Sequence, residues 1–578
     1  MHKTIEAGVL IIGGGGSGCR AAIEAHDQGA DVLMIVKGRL GNSGCTLNVG
    51  TSAAVGEWGD PDDTPFSAME DLLEHGGYLG VQNLAKVLAE EAPDRVRELD
   101  AWGIDFERNE DGSIAVDEDA AHSFARNLIF KPAKPSHHHY GSPPGMAMMD
   151  VLMEQMEARN IRVMNDVVLV DLLTNDGRVV GATAIDCNSN KFVVIKASAT
   201  ILATGTYSQI YSLTTVSEQE TGDGQAAAFR AGAELMDMEN TQFVPTSVGY
   251  PPGSVFLNAK GEKFLEKYGV DNPHVQTKET LTFAVGMELK EGRGTERGTI
   301  LIDMTNLTDD KRWAARREEF TKSLKESGSP YPGFKAESID LAARPFETGP
   351  LAHTATGGIR INTQCETTLP GLYAAGAVAG GVYGHARPQG FTSMITVVYG
   401  RRAGLYASQG AKDTGEVTLD EAAVEASFQR ATGLAQALAG VKPSDVKAQI
   451  KDIMTASAWV IKDEETLSAG LSQILEIGEM ERQRAKDSTL KSNPRDGFEW
   501  AEALEIPNML VSSELMLLGG IKREESRGAF FRYDFPNTDD EKWMKNIIYK
   551  QVNGETVLET ADVDLKYCGP GTRSHATA

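Results

Sequence analysis

Short apolar runs separated by a glycine-rich turn and a helix-forming stretch open the chain. Residues 9–12 form an apolar run that predicts a buried strand, followed by Gly13-Gly14-Gly15-Gly16-Ser17-Gly18 and by the helix-forming residues 19–25. A second apolar run at residues 31–36 follows at the spacing that a βαβ crossover needs. This order of strand, glycine loop, helix and strand predicts a dinucleotide-binding fold of the α/β class.

The middle of the chain alternates between helical and strand patterns before its composition changes. Residues 60–102 are mostly helical in pattern. Residues 161–185 alternate around Asn175-Asp176-Gly177-Arg178, which predicts a β-hairpin, and residues 199–203 predict a further strand. Residues 241–346 are richer in glycine, proline and polar residues, which indicates an inserted domain.

The last third of the chain is mainly helical in pattern. Strand and glycine-loop character returns at residues 369–376, and helical periodicity begins after about residue 418. We expect the segment from residue 567 to be loosely held, because it is rich in Gly, Pro and Ser. One apolar helix face, which we assign to packing, is predicted from Val446, Ile450, Ile453, Met454 and Ile461.

The net charge of the chain limits the classes of partner that it can bind. It has 56 Lys and Arg against 82 Asp and Glu, a net charge of −26, which argues against nucleic acid and anionic lipid surfaces as partners. No run of about 18 apolar residues occurs, and the N-terminus enters a strand without signal-peptide features. We therefore expect a cytoplasmic protein without direct membrane insertion, in which any membrane association comes through partner subunits.

Neither the cysteines nor a run of histidines predicts a metal site. The five cysteines are far apart and form no CxxC or CxxxC pair, so an iron–sulfur cluster would have to lie on another chain. His137, His138 and His139 are adjacent, point in different directions and have no acidic or cysteine partner at a ligand spacing. We interpret them as a solvent-exposed loop or a loop beside the cofactor, and we expect no metal.

The glycine loop has a chemical role. In Gly13-x-Gly15-x-x-Gly18 the glycines allow a tight turn, let backbone N–H groups approach a pyrophosphate and let the helix pack closely on the strand. The acidic residue that usually binds the adenosine ribose after the second strand is missing, because Lys37 stands there. Recognition of the ribose is therefore expected from other groups.

Several segments resemble one family, the flavoprotein subunits of succinate dehydrogenase and fumarate reductase. Residues 41–46 (GNSGCT) are similar to its flavin-contacting loop, and residues 203–205 (ATG) and 369–376 (LPGLYAAG) to its second and third FAD-binding segments. Residues 221–224 (TGDG), followed by residues 231–239 (AGAELMDME), resemble its TGDG to DMEF stretch.

The resemblance continues through the C-terminal part of the chain. Residues 256–264 resemble the start of the mobile capping domain, and residues 525–529 (ESRGA), 534–536 (DFP) and 539–543 resemble the helical-domain signature. The matches span about residues 5–550 in the family's order. They imply an α/β fold with a Rossmann-like FAD-binding domain, an inserted α+β capping domain and a C-terminal helical domain. The expected boundaries are 1–240 and 347–415 (FAD-binding), 241–346 (capping), 416–545 (helical) and 546–578 (tail).

The resemblance also implies a reaction. In this family a hydride passes between flavin N5 and one alkene carbon, a cationic side chain exchanges a proton at the other carbon, and His and Arg side chains hold the carboxylates. His353, in HTATGGI, is similar to the histidine of the family's HxTMGGI, and Arg387, in GHAR, to the arginine of its GANR. These two residues are the expected substrate anchors.

Two further anchors depart from the family pattern. The family's HPTG is replaced by Val244-Pro245-Thr246-Ser247, which leaves Thr246 as the remaining candidate clamp. The proton-donating arginine of the family's PRD segment falls on Lys278. Lysine can donate a proton but does not replace arginine at a bidentate carboxylate site. Fumarate or succinate is therefore an expectation, whereas FAD is the firmer prediction.

The cofactor is expected to be FAD without a covalent link. Family members that tether the flavin carry a histidine in an RSHT-like stretch, and residues 38–50 contain none. An iron–sulfur subunit is the expected partner, and a small unsaturated carboxylate the expected substrate. The residues expected to contact FAD are Gly13, Gly15, Gly16, Ser17, Gly18, Lys37, Asn42, Ser43, Cys45, Thr46, Ala203, Thr204, Gly205, Asp223 and Gly376.

Other functions stay open at this point. Related enzymes act on other unsaturated acids, and flavoproteins of the adenylylsulfate reductase or aspartate oxidase type are close alternatives. A different class would be an electron-transfer module that holds FAD without turning over a small substrate. Retention of His353 and Arg387 argues against such a module, while loss of the HPTG histidine argues for it.

Overall fold

The computed structural model of the chain describes residues 3–131, 145–307, 311–327, 339–437, 441–486 and 496–571. The apolar run at residues 9–12 is the buried end of a longer first strand. The first 240 residues contain β1 (Lys3–Ile12), α1 (Gly16–Asp27), β2 (Val32–Val36), β3 (Thr51–Ala53), α2 (Pro65–His75), α3 (Gln82–Trp102), β4 (Val116–Asp117), β5 (Asn127–Ile129), α4 (Gly145–Ala158), β6 (Arg162–Asn165), β7 (Val167–Asn175), β8 (Arg178–Asp186), β9 (Lys191–Leu202), α5 (Asp223–Arg230) and β10 (Leu235–Met236).

The second half begins with short strands and ends in long helices. Its first part contains β11 (Thr241–Val244), β12 (Val255–Leu257), α6 (Lys278–Lys290), β13 (Ile300–Asp303), α7 (Lys311–Ser327), β14 (Phe346–Thr348), β15 (Leu351–Ala355), β16 (Gly358–Arg360), β17 (Leu372–Ala374), β18 (Ala379–Gly380) and α8 (Phe391–Thr414). Its last part contains α9 (Glu421–Ala437), α10 (Pro443–Ser457), β19 (Ile461–Lys462), α11 (Glu464–Lys486), α12 (Gly497–Lys522), β20 (Phe531–Arg532), α13 (Asp540–Trp543), β21 (Lys545–Val552) and β22 (Glu555–Asp562).

A central sheet organises the N-terminal half. Its order is β6-β2-β1-β9-β8-β7, and β17 also pairs with β9. β1 is parallel to β2 and β9, whereas β7, β8 and β9 form an antiparallel meander. Because β1, β2, β9 and β17 run in the same direction, the loops after these strands collect at one edge of the sheet. The α/β class predicted from the sequence is confirmed.

The hairpin predicted within residues 161–185 is confirmed. β7 and β8 pair antiparallel, and the turn between them has positive φ angles of 49° at Asp176 and 74° at Gly177. Two consecutive residues with positive φ are the signature of a type I′ turn, whose twist matches that of the flanking strands.

The inserted segment has an apolar core of its own. Residues between Val248 and Phe346 form this second core, separate from the core around the central sheet. β12, β13 and β14 form a small antiparallel sheet beside it, and α6 contributes Leu281, Ala284 and Val285. α6 also packs against β11, and Gln242 of β11 donates a hydrogen bond to Glu279 in the first turn of α6.

The C-terminal helices pack on one another. Val446, Ile450 and Met454 are buried on α10, as the apolar pattern predicts. Ile461 is not part of that face, because α10 ends at Ser457 and Ile461 lies on β19, paired with β20. No helix in the described part of the chain is long and apolar enough to cross a membrane.

The segment set apart from the sequence as a tail is an integral part of the fold through residue 568. β21 and β22 form a hairpin, and β21 pairs with β10 of the N-terminal half. Tyr567 and Cys568 are not loosely held, because the Gln82 side chain hydrogen-bonds to the backbone of both residues. Local composition did not reveal these contacts, since their partners lie almost 500 residues earlier.

A buried ion network joins the C-terminal region to the central domain. The guanidinium of Arg523 contacts Glu239 at 2.8 Å and Glu525 at 3.0 Å, and all three side chains are fully buried. Glu239 also lies 3.2 Å from Nε2 of His385. The charge of Arg523 and the hydrogen bond from His385 outweigh the effect of burial and lower the pKa of Glu239 to about 2. This network lies directly behind the loop that carries Arg387.

Candidate functional site

The glycine turn brings strand, loop and helix into close contact. Gly13 has a φ of +114°, and a Cβ there would lie 2.2 Å from the carbonyl oxygen of Ala203. A Cβ on Gly18 would lie 2.0 Å from the carbonyl oxygen of Gly13. Only glycine fits these two positions, and the result is that α1 begins at the edge of the sheet with its first N–H groups facing a cavity.

The cavity at this edge contains most of the residues predicted to contact FAD. It lies between the glycine turn, the end of β2 and the loops that follow β9 and β17. The predicted residues that line it are Gly13, Gly15, Gly16, Ser17, Lys37, Ser43, Cys45, Thr46, Ala203, Thr204, Gly205 and Asp223. Its wall also includes Tyr383, Arg387 and Thr392.

Three predicted cofactor residues lie outside this wall. Gly18 serves the packing of α1 on the turn, and Gly376 lies directly against Ser17. Asn42 is exposed, and its backbone N–H donates to the carbonyl of Arg39. A direct contact of Asn42 with the cofactor was predicted from the flavin-contacting loop, but the side chain stands at the surface because the loop turns back at this point.

Lys37 replaces the usual acidic residue with a charged donor. Its Nζ lies 2.8 Å from Asp223 and 2.7 Å from Glu505. Burial alone would lower the pKa of Lys37, but the two carboxylates outweigh it and raise the pKa to about 12. The ammonium is therefore permanently charged, and its N–H groups are taken up by these carboxylates, the Thr221 hydroxyl and the carbonyl of Gln219, so Lys37 ties the end of β2 to the cavity wall.

The chemistry of the cavity fits FAD. The N-terminus of α1 and the backbone of the glycine turn can bind a pyrophosphate, and Gly15 presents no side chain in this direction. The hydroxyl oxygen of Thr204 and Nε of Arg387 are buried without a hydrogen-bond partner among the described residues. Because buried polar groups are normally satisfied, these atoms indicate that a polar ligand completes the cavity.

Glu220 is a cavity residue that the sequence did not single out. Its carboxylate accepts hydrogen bonds from the backbone N–H of Cys45 at 2.9 Å and from the Cys45 thiol at 3.0 Å. Burial and this carboxylate raise the pKa of Cys45 well above its usual value. The thiol is therefore held protonated. Glu220 directly precedes the TGDG segment, and this position was the signal that could have drawn attention to it.

A second cavity adjoins the first through Arg387. It has a volume of about 220 Å³, and Arg387 lines both cavities. Three parts of the chain contribute further charged or titratable residues to its wall. They are His75 at the end of α2, the pair Glu118 and Asp119, and the segment that carries His274, Lys278 and Glu279. The predicted residues Lys278 and Arg387 are thus brought to one cavity although they are 109 positions apart in the sequence.

Arg387 is a buried cation without an anionic partner. Arg387 is 5% exposed. No carboxylate among the described residues lies within ion-pair distance of its guanidinium. Its backbone carbonyl accepts a hydrogen bond of 3.1 Å from Nε2 of Gln242, which fixes the loop. Burial lowers the pKa of Arg387 from its usual value, while leaving the guanidinium protonated at any ordinary pH.

Lys278 is the first residue of α6. The Thr277 hydroxyl caps this helix by accepting from the N–H of Thr280, so the direction in which Lys278 leaves the backbone is well defined. Burial and the positive charge of Arg387 lower the pKa of Lys278 to about 8. At neutral pH the ammonium is mostly protonated and is a much stronger acid than an exposed lysine.

His353 lies on β15, and its Nδ1 is 2.7 Å from the hydroxyl of Thr215. Burial, followed by the charges of Arg387 and Lys278, lowers the pKa of His353 well below its usual value. The imidazole is therefore neutral at neutral pH. It lies within the electrostatic influence of both cations, although it lines neither cavity.

Thr246 does not reach either cavity. It is buried, and its hydroxyl donates to the carbonyl of Val248 at 2.7 Å. The neighbouring Ser247 pairs with Thr348 through its backbone N–H and its hydroxyl. The predicted clamp is thus engaged in the turn that leads into the inserted segment. The histidines at 137–139 lie outside the described residues.

His75, Gln242 and Glu279 are site residues that sequence reasoning missed. Nε2 of His75 lies 3.0 Å from Glu279, and Gln242 donates to the other oxygen of the same carboxylate. Glu279 directly follows Lys278, and this adjacency was an available signal. His75 had no local signal, because only the packing of α2 against the start of α6 brings it there.

Sequence and structure comparisons agree on the family. A model described as FAD binding domain matches residues 8–393, and one described as fumarate reductase flavoprotein C-term matches residues 447–575. One subunit of the fumarate reductase (CoM/CoB) of Methanothermobacter marburgensis is 32% identical over 560 residues, covering 94% of this chain and 97% of that protein. An L-aspartate oxidase of Streptomyces coelicolor is 29% identical, covering 97% and 94%.

The solved structures agree with this result. A flavoprotein chain of E. coli quinol fumarate reductase is 25% identical, with a TM-score of 0.84 and 97% of each chain covered. The FAD-binding model alone matches more than half of the residues, and the resemblance inferred from the motifs is confirmed. This chain belongs to the family of FAD-dependent oxidoreductases that contains the flavoprotein subunits of fumarate reductase and succinate dehydrogenase.

Proposed function

We propose that this protein transfers hydrogen across a carbon–carbon double bond next to a carboxylate, with a small unsaturated carboxylate such as fumarate as the acceptor. The observation that carries the proposal is the pair of cations, Arg387 and Lys278, at one small cavity that shares Arg387 with the FAD cavity. Neither cation has an ion-pair partner among the described residues.

An anionic substrate would resolve this arrangement. A buried charge without a partner is strongly unfavourable, and proteins retain one mainly where a ligand supplies the opposite charge. The two cations therefore favour an anionic acceptor such as a carboxylic acid over a neutral one.

Each residue has a role that follows from its environment. FAD, when bound, supplies or accepts the hydride. Arg387 binds a carboxylate and stabilises the negative charge that develops on it during transfer. Lys278, with its lowered pKa, donates a proton to the second carbon, for which it is a better acid than arginine. His353 is neutral and can donate a hydrogen bond without adding a third positive charge.

The relatives support this assignment and define its alternatives. One relative is named for fumarate reduction and another for oxidation of aspartate, which is also a small dicarboxylate. A module that only relays electrons would not need a buried, unpaired Arg387 beside the cofactor. A panel of fumarate, other unsaturated acids, aspartate and adenylylsulfate, tested with the reduced protein under anaerobic stopped-flow conditions, distinguishes these alternatives.

Arg387→Gln and His353→Ala should each lower turnover of the acceptor by about 10²-fold or more, because both groups stabilise charge that appears only during hydride transfer. FAD content should stay close to that of the parent. Turnover and flavin absorbance measure the two effects. Arg97→Gln, which changes an exposed arginine, is the matched control. Parental turnover in either site variant would contradict the assigned role.

Lys278 should impose an alkaline limit on reduction of the acceptor. Its protonated form is the donor, so turnover should fall as pH rises through about 8. Lys278→Met should be nearly inactive in this direction. Lys278→Arg should recover part of the activity and move the alkaline limb upward, because arginine stays protonated. A pH profile of Lys278→Met that matches the parent in size and shape would rule out this donor.

We also propose that FAD is bound without a covalent link. The stretch at residues 38–50 has no histidine, and the Cys45 thiol is held protonated by burial and Glu220, which disfavours its reaction as a nucleophile. Precipitation with acid should release the yellow cofactor into the supernatant, as measured by its absorbance. Flavin that stayed with the precipitate of the parent but not of Cys45→Ser would identify a thioether instead.

We further propose that the chain works with an iron–sulfur subunit, because its five free cysteines include no cluster-binding spacing. The two-electron cofactor then requires one-electron carriers on another chain. Gentle purification from the source organism should recover a partner with iron and acid-labile sulfide in stoichiometric amounts. A chain that is isolated alone and is reoxidised by dioxygen at its full catalytic rate would argue for an oxidase.

A further inference from the structure

The wall between the substrate cavity and the surface contains an acid–base pair. His75 at the end of α2 and Glu279 in the first turn of α6 line the 220 Å³ cavity on one side. The same two residues line a larger pocket of about 580 Å³ on the other side. This outer pocket reaches solvent, because Thr538 and Asp540 on its wall are exposed.

We propose that His75 and Glu279 form a proton-transfer pair that returns a proton from solvent to Lys278 after each turnover. The proposal rests on the function proposed above, in which Lys278 gives its proton to a substrate carbon. That step leaves a neutral amine inside the cavity, and the amine has to be protonated again before the next cycle.

The geometry of the pair suits this role. Nε2 of His75 lies 3.0 Å from one carboxylate oxygen of Glu279, and both side chains are about nine-tenths buried. Neither atom has a hydrogen-bond partner among the described residues, and the contact between them is a close ion-pair contact. The second oxygen of Glu279 accepts from Gln242, whose same nitrogen donates to the carbonyl of Arg387. The pair is thereby fixed relative to the substrate cavity.

The electrostatics of Glu279 favour transfer from the histidine. Burial would raise the pKa of Glu279, but His75 and the charge of Lys278 outweigh this effect and lower the pKa to about 2. Glu279 is thus a permanent carboxylate that carries no proton of its own at equilibrium. In the proposed path the proton passes from His75, and the carboxylate orients the ring.

The proton path is balanced without an oxidant. The N–H bond of the His75 imidazolium breaks, and a new N–H bond forms on Nζ of Lys278 through water in the cavity, which at about 30 Å³ per molecule can hold several waters. His75 then takes a proton from solvent in the outer pocket. No electron changes hands. The other charged groups that face this path are Arg387, Glu118, Asp119 and His274 inside, and Glu74, Arg527 and Asp540 outside.

Water can also enter the substrate cavity directly, because Glu118 on its wall is exposed. The path through His75 starts in a different pocket and reaches Lys278 through water in the substrate cavity once product has left.

His75→Ala tests the proposal in the full-length protein loaded with FAD. We expect kcat for reduction of the acceptor to fall by about 10-fold or more, while KM stays within about twofold of the parent. A loss of this size is smaller than that expected for removal of the general acid itself. Imidazole in the buffer should restore part of kcat in His75→Ala and have no effect on the parent. Reoxidation of the flavin by ferricyanide, which needs no proton on carbon, should be unchanged.

Two further variants complete the experiment. Glu279→Gln should lose activity that imidazole does not restore, because the His75 ring is still present but has lost the carboxylate that orients it. His26→Ala removes an exposed histidine at the end of α1 and should behave like the parent. Parental kcat in His75→Ala, or a loss that raises KM and does not respond to imidazole, would overturn the proton path alone. A parent that reduces no unsaturated acid would overturn the proposed function and the proton path together.

Discussion

The guanidinium of Arg387 is buried, and no carboxylate of the described residues forms an ion pair with it. The arrangement of the rest of the site depends on this unpaired charge. Two other buried arginines have acidic partners: Arg126 contacts Asp63 and Asp71, and Arg523 contacts Glu239 and Glu525. Arg387 differs because it stands between the FAD cavity and the small polar cavity. In the proposed function a substrate carboxylate supplies the missing anion, and the surrounding structure holds the cation in place until it binds.

That support comes from both ends of the chain. The loop before Arg387 carries His385, which contacts Glu239 and, through it, Arg523 of the C-terminal region. Asn240 donates to the carbonyl of His385, and Gln242 donates to the carbonyl of Arg387. The position of the cation is thus set by a buried network whose members are more than 280 residues apart. The helical region contributes to the chemistry by bracing this loop, without reaching the cavity itself.

Burial and one positive charge set the ionisation of the neighbours of Arg387. Burial, followed by the charge of Arg387, lowers the pKa of Lys278 to about 8 and keeps His353 neutral. Lysine in place of the family's arginine would be a poor carboxylate fork, but next to a fixed cation it becomes a suitable acid. Glu279, paired with His75, balances part of this charge without contacting Arg387 and lies on the solvent side of Lys278.

The sequence by itself determined the cofactor and the order of the parts. Gly13, Gly15 and Gly18 lie between a strand and a helix, and this local pattern has one physical explanation, since only a backbone without side chains admits a pyrophosphate at that turn. The motif residues His353 and Arg387 could likewise be found, because each lies within a segment that resembles one in the family. Lys278 lies in no motif of its own, and it was identified only because it aligns with the arginine of the family's PRD segment.

Only the tertiary structure decided which of these residues share a cavity and in which ionisation state. Thr246 is turned into a local hydrogen bond with Val248, Ile461 leaves the helix to which its spacing assigned it, and the expected tail completes a sheet. His75 had no local pattern that marked it, and Glu220 was marked only by its position next to the TGDG segment. Their importance comes from contacts across 204 and 175 positions, with Glu279 and Cys45 respectively. Periodicity and motifs describe neighbours along the chain, whereas burial and charge, which set a pKa, depend on neighbours in space.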